Sequence, residues 1–124
     1  MKPSDFIPFV ESLENNDLDL SDTRTLHAVL GISGEAGELT DLVKKSVVYH
    51  QPLDLQKLKE ELGDLFHYTA MLLSSQGWSF EEVFDDNVTK LQTRYPNGFN
   101  CQDAVLRRDK LNLSDRTKPV PGGY

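Results

Sequence analysis

The chain has 124 residues, of which 20 are Asp or Glu and 13 are Lys or Arg, so its formal net charge is −7. This length fits one domain, and the acidic surface excludes a nucleic-acid polymer as a partner because like charges repel. The single cysteine, Cys101, excludes an internal disulfide and indicates a reducing, cytoplasmic location. No apolar run approaches the ~18 residues of a membrane span, so we expect no membrane partner.

Helical periodicity dominates the first two thirds of the chain. Apolar residues at three- and four-residue steps predict a first helix, capped by Ser4 or Asp5: Phe6, Phe9, Val10 and Leu13. A second helix is predicted from about Thr23 to Val48, with the apolar stripe Val29, Ile32, Ala36, Leu39, Val43 and Val47. A third is predicted from about Asp54 to Ser74, with the stripe Leu55, Leu58, Leu62, Leu65, Thr69 and Leu72. We expect both stripes to be core.

Residues typical of helix ends predict where the remaining helices begin and end. Gln76-Gly77 ends the third helix, and Ser79-Phe80-Glu81-Glu82 is a capping-box pattern that opens a fourth, which Pro96-Asn97-Gly98 ends. The predicted buried face of the fourth helix is Phe84, Val88, Leu91 and Tyr95. A short helix is predicted from Asp103 to Leu111. The expected fold is all-α, an antiparallel helical hairpin in a four-helix-bundle-like subunit, with one domain over residues 1–113 and a flexible tail over 114–124.

Two pairs of acidic residues repeat the same spacing on the second and third helices. Glu35 and Glu38 each precede a stripe residue, and so do Glu61 and Asp64. Equal offsets on two antiparallel helices place both pairs on one side of the hairpin, and the midpoint between the pairs falls near Tyr49 in the connecting loop. The four carboxylates are therefore predicted to converge, which favours a hard divalent cation. The alternative is a solvated acidic face.

Glycines and basic residues accompany these acids. Gly31 and Gly34 lie inside the second helix, where each glycine costs roughly 1 kcal/mol relative to alanine, so a ligand or a packed helix is expected to approach them. Asn87, Lys90 and Arg94 share one stripe of the fourth helix and suit contacts with phosphate oxygens. The alternative is that these charges are ordinary surface residues.

These motifs together resemble the MazG-like all-α nucleoside triphosphate pyrophosphohydrolases, of the compact phage and bacterial type. The resemblance spans about residues 23 to 109 and rests on Gly34-Glu35-Ala36-Gly37-Glu38-Leu39, Glu61-Leu62-Gly63-Asp64-Leu65, Asn87-Val88-Thr89-Lys90-Leu91 and Arg94-Tyr95-Pro96-Asn97-Gly98-Phe99. It implies cleavage of an NTP or dNTP into the monophosphate and pyrophosphate, by water attack at the α-phosphorus. It also implies a dimer or tetramer of such hairpins.

The resemblance further implies particular site residues. The catalytic and metal-binding residues are Glu35, Glu38, Glu61 and Asp64, holding two or more Mg²⁺ or Mn²⁺ ions. The residues matching the substrate-binding positions are Asn87, Lys90, Arg94, Tyr95 and Lys44, the last in a basic pair with Lys45. Many relatives carry a Glu where this chain has Gly34, so the number of metal ions stays open. A phage-encoded protein of this type would act in the host cytoplasm.

The base and two other functions stay open. Phage-type relatives are linked to deoxynucleotide pools, so dGTP or GTP is the first substrate predicted, with Phe6, Phe9 and His27 as candidates to line the base pocket. One alternative is a non-catalytic helical module that binds a nucleotide or a partner. The other is a di-iron carboxylate bundle, which needs two Glu-x-x-His motifs, whereas this chain offers only Asp64-Leu65-Phe66-His67.

Overall fold

A computed structural model describes residues 1–14 and 21–111 of the chain. Those ranges contain the helices α1 (Pro3–Leu13), α2 (Ser21–Tyr49), α3 (Leu55–Gln76), α4 (Phe80–Arg94) and α5 (Cys101–Leu106), followed by a 3₁₀ turn, Arg108–Lys110. The prediction of an all-α fold is confirmed. The predicted tail, 114–124, lies outside the described residues. Within them, no helix is long and apolar enough to cross a membrane.

The helix ends follow local chemistry. The side chain of Asp54 accepts the backbone N–H of Lys57 at 2.9 Å and caps α3. Gly77 ends the same helix in the left-handed conformation, with φ +70, and its N–H reaches the carbonyl groups of Leu73 and Ser74. The predicted end at Gln76-Gly77 is confirmed. At the start of α1, Asp5 lies within the helix and not at the capping position before it. Its carboxylate accepts the backbone N–H of Lys2 at 3.3 Å and so stabilises the first turn.

Two compact units make up the chain, Met1–Phe80 and Glu81–Tyr124, and each is described by itself. In the first, α2 and α3 pack as an antiparallel hairpin, and α1 packs on α3. The core lies at the end of the hairpin away from the turn and consists of Val10, Ala28, Ala70, Met71, Leu73 and Phe80. The two alanines are small, so α2 and α3 approach closely there.

The prediction that both apolar stripes are core throughout is wrong. Towards the turn, Val47 of α2 is 68% exposed and Leu55 of α3 is 70% exposed. Further exposed stripe residues are Val29, Ala36, Val43 and Leu62. Two packed helices bury only the strip along which they touch. The core to which α1 contributes lies at the end of the hairpin away from the turn, so it does not cover these residues. The predicted buried face of α4 is also wrong at Phe84, Val88 and Leu91, which are exposed.

In the second unit, the predicted helix from Asp103 to Leu111 is interrupted. Asn100 caps α5 by accepting the Asp103 N–H at 2.7 Å, and the helix stops at Arg107, whose φ of +51 is left-handed. A 3₁₀ turn replaces the rest of the predicted helix. The carboxylate of Asp103 is buried and accepts Arg108 Nε at 2.6 Å, which ties this turn back to α5.

Candidate metal centre

Three of the four predicted carboxylates meet on the α2–α3 hairpin. Glu35 of α2 and Glu61 and Asp64 of α3 each offer an oxygen, and these oxygens all lie within 4.8 Å of one another. The three-residue spacing of Glu61 and Asp64 brings both side chains to one face of α3. Oxygen ligands lie 2.0–2.6 Å from Mg²⁺ or Ca²⁺, so ligands on opposite sides of one ion are about 4–5 Å apart. This acidic cluster therefore has the size and the donor atoms for a divalent cation.

A lysine that sequence reasoning missed already balances part of this charge. Glu61 is only 5% exposed, and its Oε1 lies 2.6 Å from Lys57 Nζ. The contact raises the pKa of Lys57 above its ordinary value. The spacing of four residues between Lys57 and Glu61 is the available signal, since such pairs meet on a helix. Lys57 therefore holds the buried carboxylate in place.

The pKa of Glu35 reflects both its burial and the like charges around it. Its pKa is raised, first because burial disfavours the charged form, then because Asp64 is nearby, and then because of a hydrogen bond with Glu61. A cation placed among the three carboxylates would act in the opposite direction and favour their ionised forms. The residues present thus fit the metal ion that the sequence implied.

Glu38 is the predicted ligand that lies outside the acidic cluster. Its side chain is exposed, and its oxygens are not among the three that come within 4.8 Å. Burial raises the pKa of Glu35 first, and the charge of Glu38 adds to that rise. The pKa of Lys45 is raised first by Asp41, and Glu38 adds to that rise as well. The role of Glu38 as a metal ligand stays a prediction.

Two lysines of α2 near the turn have other contacts. Lys44 Nζ lies 5.9 Å from the centroid of the Tyr49 ring, a cation–π distance, and the side chain is exposed. Lys45 forms an ion pair with Asp41 at 2.7 Å, one helical turn before it. Lys44 is therefore free of an ion pair within 4 Å among the described residues and can turn towards an anion.

The remaining substrate candidates belong to the second unit. Asn87 and Lys90 are exposed on α4. Arg94 makes a bidentate ion pair with Asp109, through Nε at 2.6 Å and Nη2 at 2.9 Å, and this pair uses two of its five N–H donors. Asp109 and then Tyr95 raise the pKa of Arg94. Tyr95 is half-buried, and its ring lies 5.3 Å from that of Phe99.

The two glycines of α2 have different surroundings. A Cβ added at Gly31 would come within 2.5 Å of three atoms of the Tyr68 ring, so the ring would have to move for any other residue at this position. A Cβ at Gly34 would meet nothing within 4 Å. The expected close approach to the backbone is therefore confirmed for Gly31, where a packed side chain explains it. No contact explains the glycine at position 34.

A cavity of about 290 Å³ opens between the ends of α1 and α2 and the middle of α3. Its lining includes Glu14, Arg24, His27, His67, Tyr68 and Met71. Of the three predicted base-pocket residues, only His27 lines this cavity, while Phe6 packs against the core. His67 lines it too and lies outside the acidic cluster, so the cluster lacks the histidine that a di-iron bundle needs.

The chain is similar to known proteins of one family. A family model described as the MazG nucleotide pyrophosphohydrolase domain matches residues 24–99, which contain the acidic cluster and α4. Gene 37 protein of Mycobacterium phage L5 is 33% identical over 76 residues, covering 58% of this chain and 67% of that protein. No solved structure matches the chain. Since the family model covers more than half of the chain, this protein belongs to the MazG nucleotide pyrophosphohydrolase domain family.

Proposed function

We propose that this protein hydrolyses nucleoside triphosphates between the α and β phosphates, giving the monophosphate and pyrophosphate, with Mg²⁺ or Mn²⁺ bound. The main support is that oxygens of three carboxylates from two helices lie within 4.8 Å of one another, inside the segment that the family model matches. Hard divalent cations prefer such oxygen donors and commonly share them with substrate phosphates. The family relationship supports the reaction, and the acidic cluster supports the need for metal.

Glu35, Glu61 and Asp64 are the proposed metal-binding residues, and the exposed Glu38 is a fourth ligand candidate beside them. The cation supplies charge neutralisation for the phosphate oxygens and makes water more acidic. Lys57 keeps the buried Glu61 carboxylate oriented before any cation arrives. In the reaction, a water oxygen forms a bond to the α-phosphorus, the bond to the bridging oxygen breaks, and a carboxylate of the acidic cluster accepts the proton.

The phosphates need cationic partners, because the acidic protein otherwise repels them. We assign the cationic contacts to Lys44 in the first unit and to Lys90 and Arg94 in the second, and neutral hydrogen bonds to Asn87 and Tyr95 of the second unit. The exposure of Lys44, Asn87 and Lys90 supports their availability. Asp109 binds the guanidinium of Arg94 through Nε and Nη2 and fixes its orientation, so Nη1 is the group that would contact an anion. We take dGTP and GTP as the first substrates to test.

The exposed apolar surface supports a homo-oligomer, either a dimer or a tetramer. Val43, Val47 and Leu55 are apolar side chains left exposed on the half of the hairpin nearest to the turn. A second copy packed on this half would remove these side chains from water, as in other helical assemblies. Analytical ultracentrifugation tests this part of the proposal, and a monomer at all concentrations would contradict it.

The deciding experiment is product analysis with eight common NTPs and dNTPs, in Mg²⁺, Mn²⁺ or EDTA. We expect monophosphate and pyrophosphate only with metal present.

Glu61→Gln should lower kcat by about 100-fold, because it removes a charged ligand. Glu60→Gln is the matched control, since Glu60 is the exposed neighbour on the same helix and carries the same charge. Full turnover by Glu61→Gln would contradict the assignment.

The non-catalytic alternative predicts a different result in the same assay. A binding module would retain a nucleotide in the presence of metal and release it intact. Monophosphate produced over many turnovers excludes that alternative.

A further inference from the structure

A lysine is bound to one of the three carboxylates that form the acidic cluster. Lys57 Nζ lies 2.6 Å from Oε1 of Glu61, whose side chain is buried. Oε2 of Glu60 is farther from this nitrogen, at 3.9 Å, and the Glu60 side chain is exposed. Ion pairs in water contribute little to stability, so Glu61 is the main partner of the ammonium. Lys57 therefore occupies a carboxylate that is proposed as a metal ligand.

This ammonium is the counter-charge of the acidic cluster in the metal-free protein. Within the described part of the chain, neither Glu35 nor Asp64 forms an ion pair within 4 Å. Glu61 first, and then Glu60 and Asp64, raise the pKa of Lys57, so the ammonium stays charged at neutral pH. A buried carboxylate that loses its counter-charge destabilises a fold strongly. Lys57 thus makes the empty acidic cluster tolerable.

The ammonium and a divalent ion cannot both bind Glu61 without repelling each other. Oxygen ligands lie 2.0–2.6 Å from Mg²⁺ or Ca²⁺, so an ion on either oxygen of Glu61 would be at most about 7 Å from Lys57 Nζ. Two cations repel at this separation. The Lys57 side chain is 50% exposed and flexible, so it can turn into water, whereas Glu61 is held in the buried position. Metal binding therefore exchanges one cation for another.

We propose that Lys57 is a displaceable counter-ion, which binds Glu61 in the metal-free protein and leaves this carboxylate when the metal ion enters. The inference rests on the metal site of the proposed function and adds a residue that sets its affinity. Because the ammonium has to be displaced, the ion binds less tightly than it would to the same carboxylates alone. Lys57 thereby stabilises the empty site and keeps the metal ion exchangeable.

Calorimetric titration of the full chain with Mn²⁺ alone tests this exchange without measuring hydrolysis. Lys57→Met removes the charge and keeps an unbranched side chain. In the dielectric of bulk water, removing an ammonium about 6 Å from a divalent ion should lower the Kd for Mn²⁺ by about 10-fold, and a lower dielectric would increase the effect. In EDTA, the same variant should unfold at a lower urea concentration, because Glu61 has lost its counter-charge. A lysine that only orients Glu61 predicts weaker metal binding in the variant.

Lys59→Met is the matched control, because Lys59 is an exposed lysine two residues further along α3 and lies on a different face of the helix. It should change the Kd for Mn²⁺ by less than about 2-fold. Lys57→Arg keeps the positive charge and should retain a Kd close to that of the wild type. Unchanged or weaker Mn²⁺ binding by Lys57→Met would overturn the inference while the metal site stands.

The same titrations separate this inference from the proposed function. If neither the wild type nor Lys57→Met binds Mn²⁺, the metal site fails and the inference fails with it. If Lys57→Met binds Mn²⁺ more tightly but no nucleotide is hydrolysed, the proposed reaction fails and the inference stands.

The wild-type chain offers a second measurement that does not require Lys57→Met to fold. Nuclear magnetic relaxation of the lysine ammonium nitrogens reports how rigidly each one is held. Addition of Mg²⁺ should make the Lys57 nitrogen more mobile and leave that of Lys59 unchanged. A Lys57 nitrogen that stays equally rigid when Mg²⁺ is bound would overturn the inference.

Discussion

Gly31→Ala tests the contact between the backbone of α2 and the Tyr68 ring of α3. A methyl group at this position would come within 2.5 Å of three Tyr68 ring atoms, so the ring has to move. Tyr68 also packs against His27 and His67 and lies beside the core, which limits where it can go. We therefore expect Gly31→Ala to be less stable than Gly34→Ala, although alanine is the better helix former at both positions.

The magnitude follows from two opposing effects. Overpacking costs about 1–3 kcal/mol, and replacing a helical glycine by alanine returns about 1 kcal/mol. Gly34→Ala is the matched control, because its methyl group meets nothing within 4 Å and only the gain remains. The free energies of unfolding of the two variants should differ by about 1–3 kcal/mol. At about 4 °C per kcal/mol, their melting temperatures should differ by about 4–12 °C.

Thermal melts followed by far-UV circular dichroism, in EDTA, measure this difference. A Tyr68→Leu background supplies the second half of a double-mutant cycle, and in it most of the cost of Gly31→Ala should disappear. Identical melting temperatures for Gly31→Ala and Gly34→Ala would refute the close approach of Tyr68 to the α2 backbone.

In EDTA, the free energy of unfolding should fall as the pH rises from about 4 through the raised pKa of Glu35, because ionisation then places like charges together. Chemical denaturation across this window checks the effect, and Glu35→Gln or added Mg²⁺ should remove it. The pKa of Asp109 is lowered to about 2 by Arg94, so the pair stabilises the fold above pH ~4 and this contribution is lost as the pH falls towards 2. Asp109→Asn should abolish that acid dependence in urea titrations. His50→Gly should raise the free energy of unfolding by about 1 kcal/mol, since His50 has a φ of +52, and a decrease would contradict this.

Much of the fold was predictable because local chemistry sets it. Asp54 and Gly77 delimit α3 by hydrogen bonds to neighbouring residues, so their types are informative in the sequence alone. The proximity of Glu35 and Asp64 also followed from periodicity. The apolar stripe of each helix shows which side faces the other helix, and so which residues of two antiparallel helices lie near each other. Helix capping and helix period are both properties of short segments.

The rest depends on contacts between distant segments. Whether Val47 and Leu55 are buried depends on which other segments pack against that part of the hairpin. The spacing of apolar residues within one helix does not contain this information. Glu14 directly follows α1 and Arg24 lies near the start of α2, and neither belongs to a motif, so their pairing needed the structure. The interruption at Arg107 comes from its left-handed backbone, an unusual conformation for arginine.

The placement of the core at one end of the hairpin implies an uneven resistance to local opening. Backbone amides around Ala28 and Ala70 are buried with that core, so their hydrogens should exchange with solvent only when the whole unit unfolds. Around Val47 and Leu55, few buried contacts oppose a brief separation of the helices. The acidic residues lie between these two regions. Within a single chain, the acidic residues therefore lie between a stable end of the hairpin and an end nearest to the turn that opens more easily.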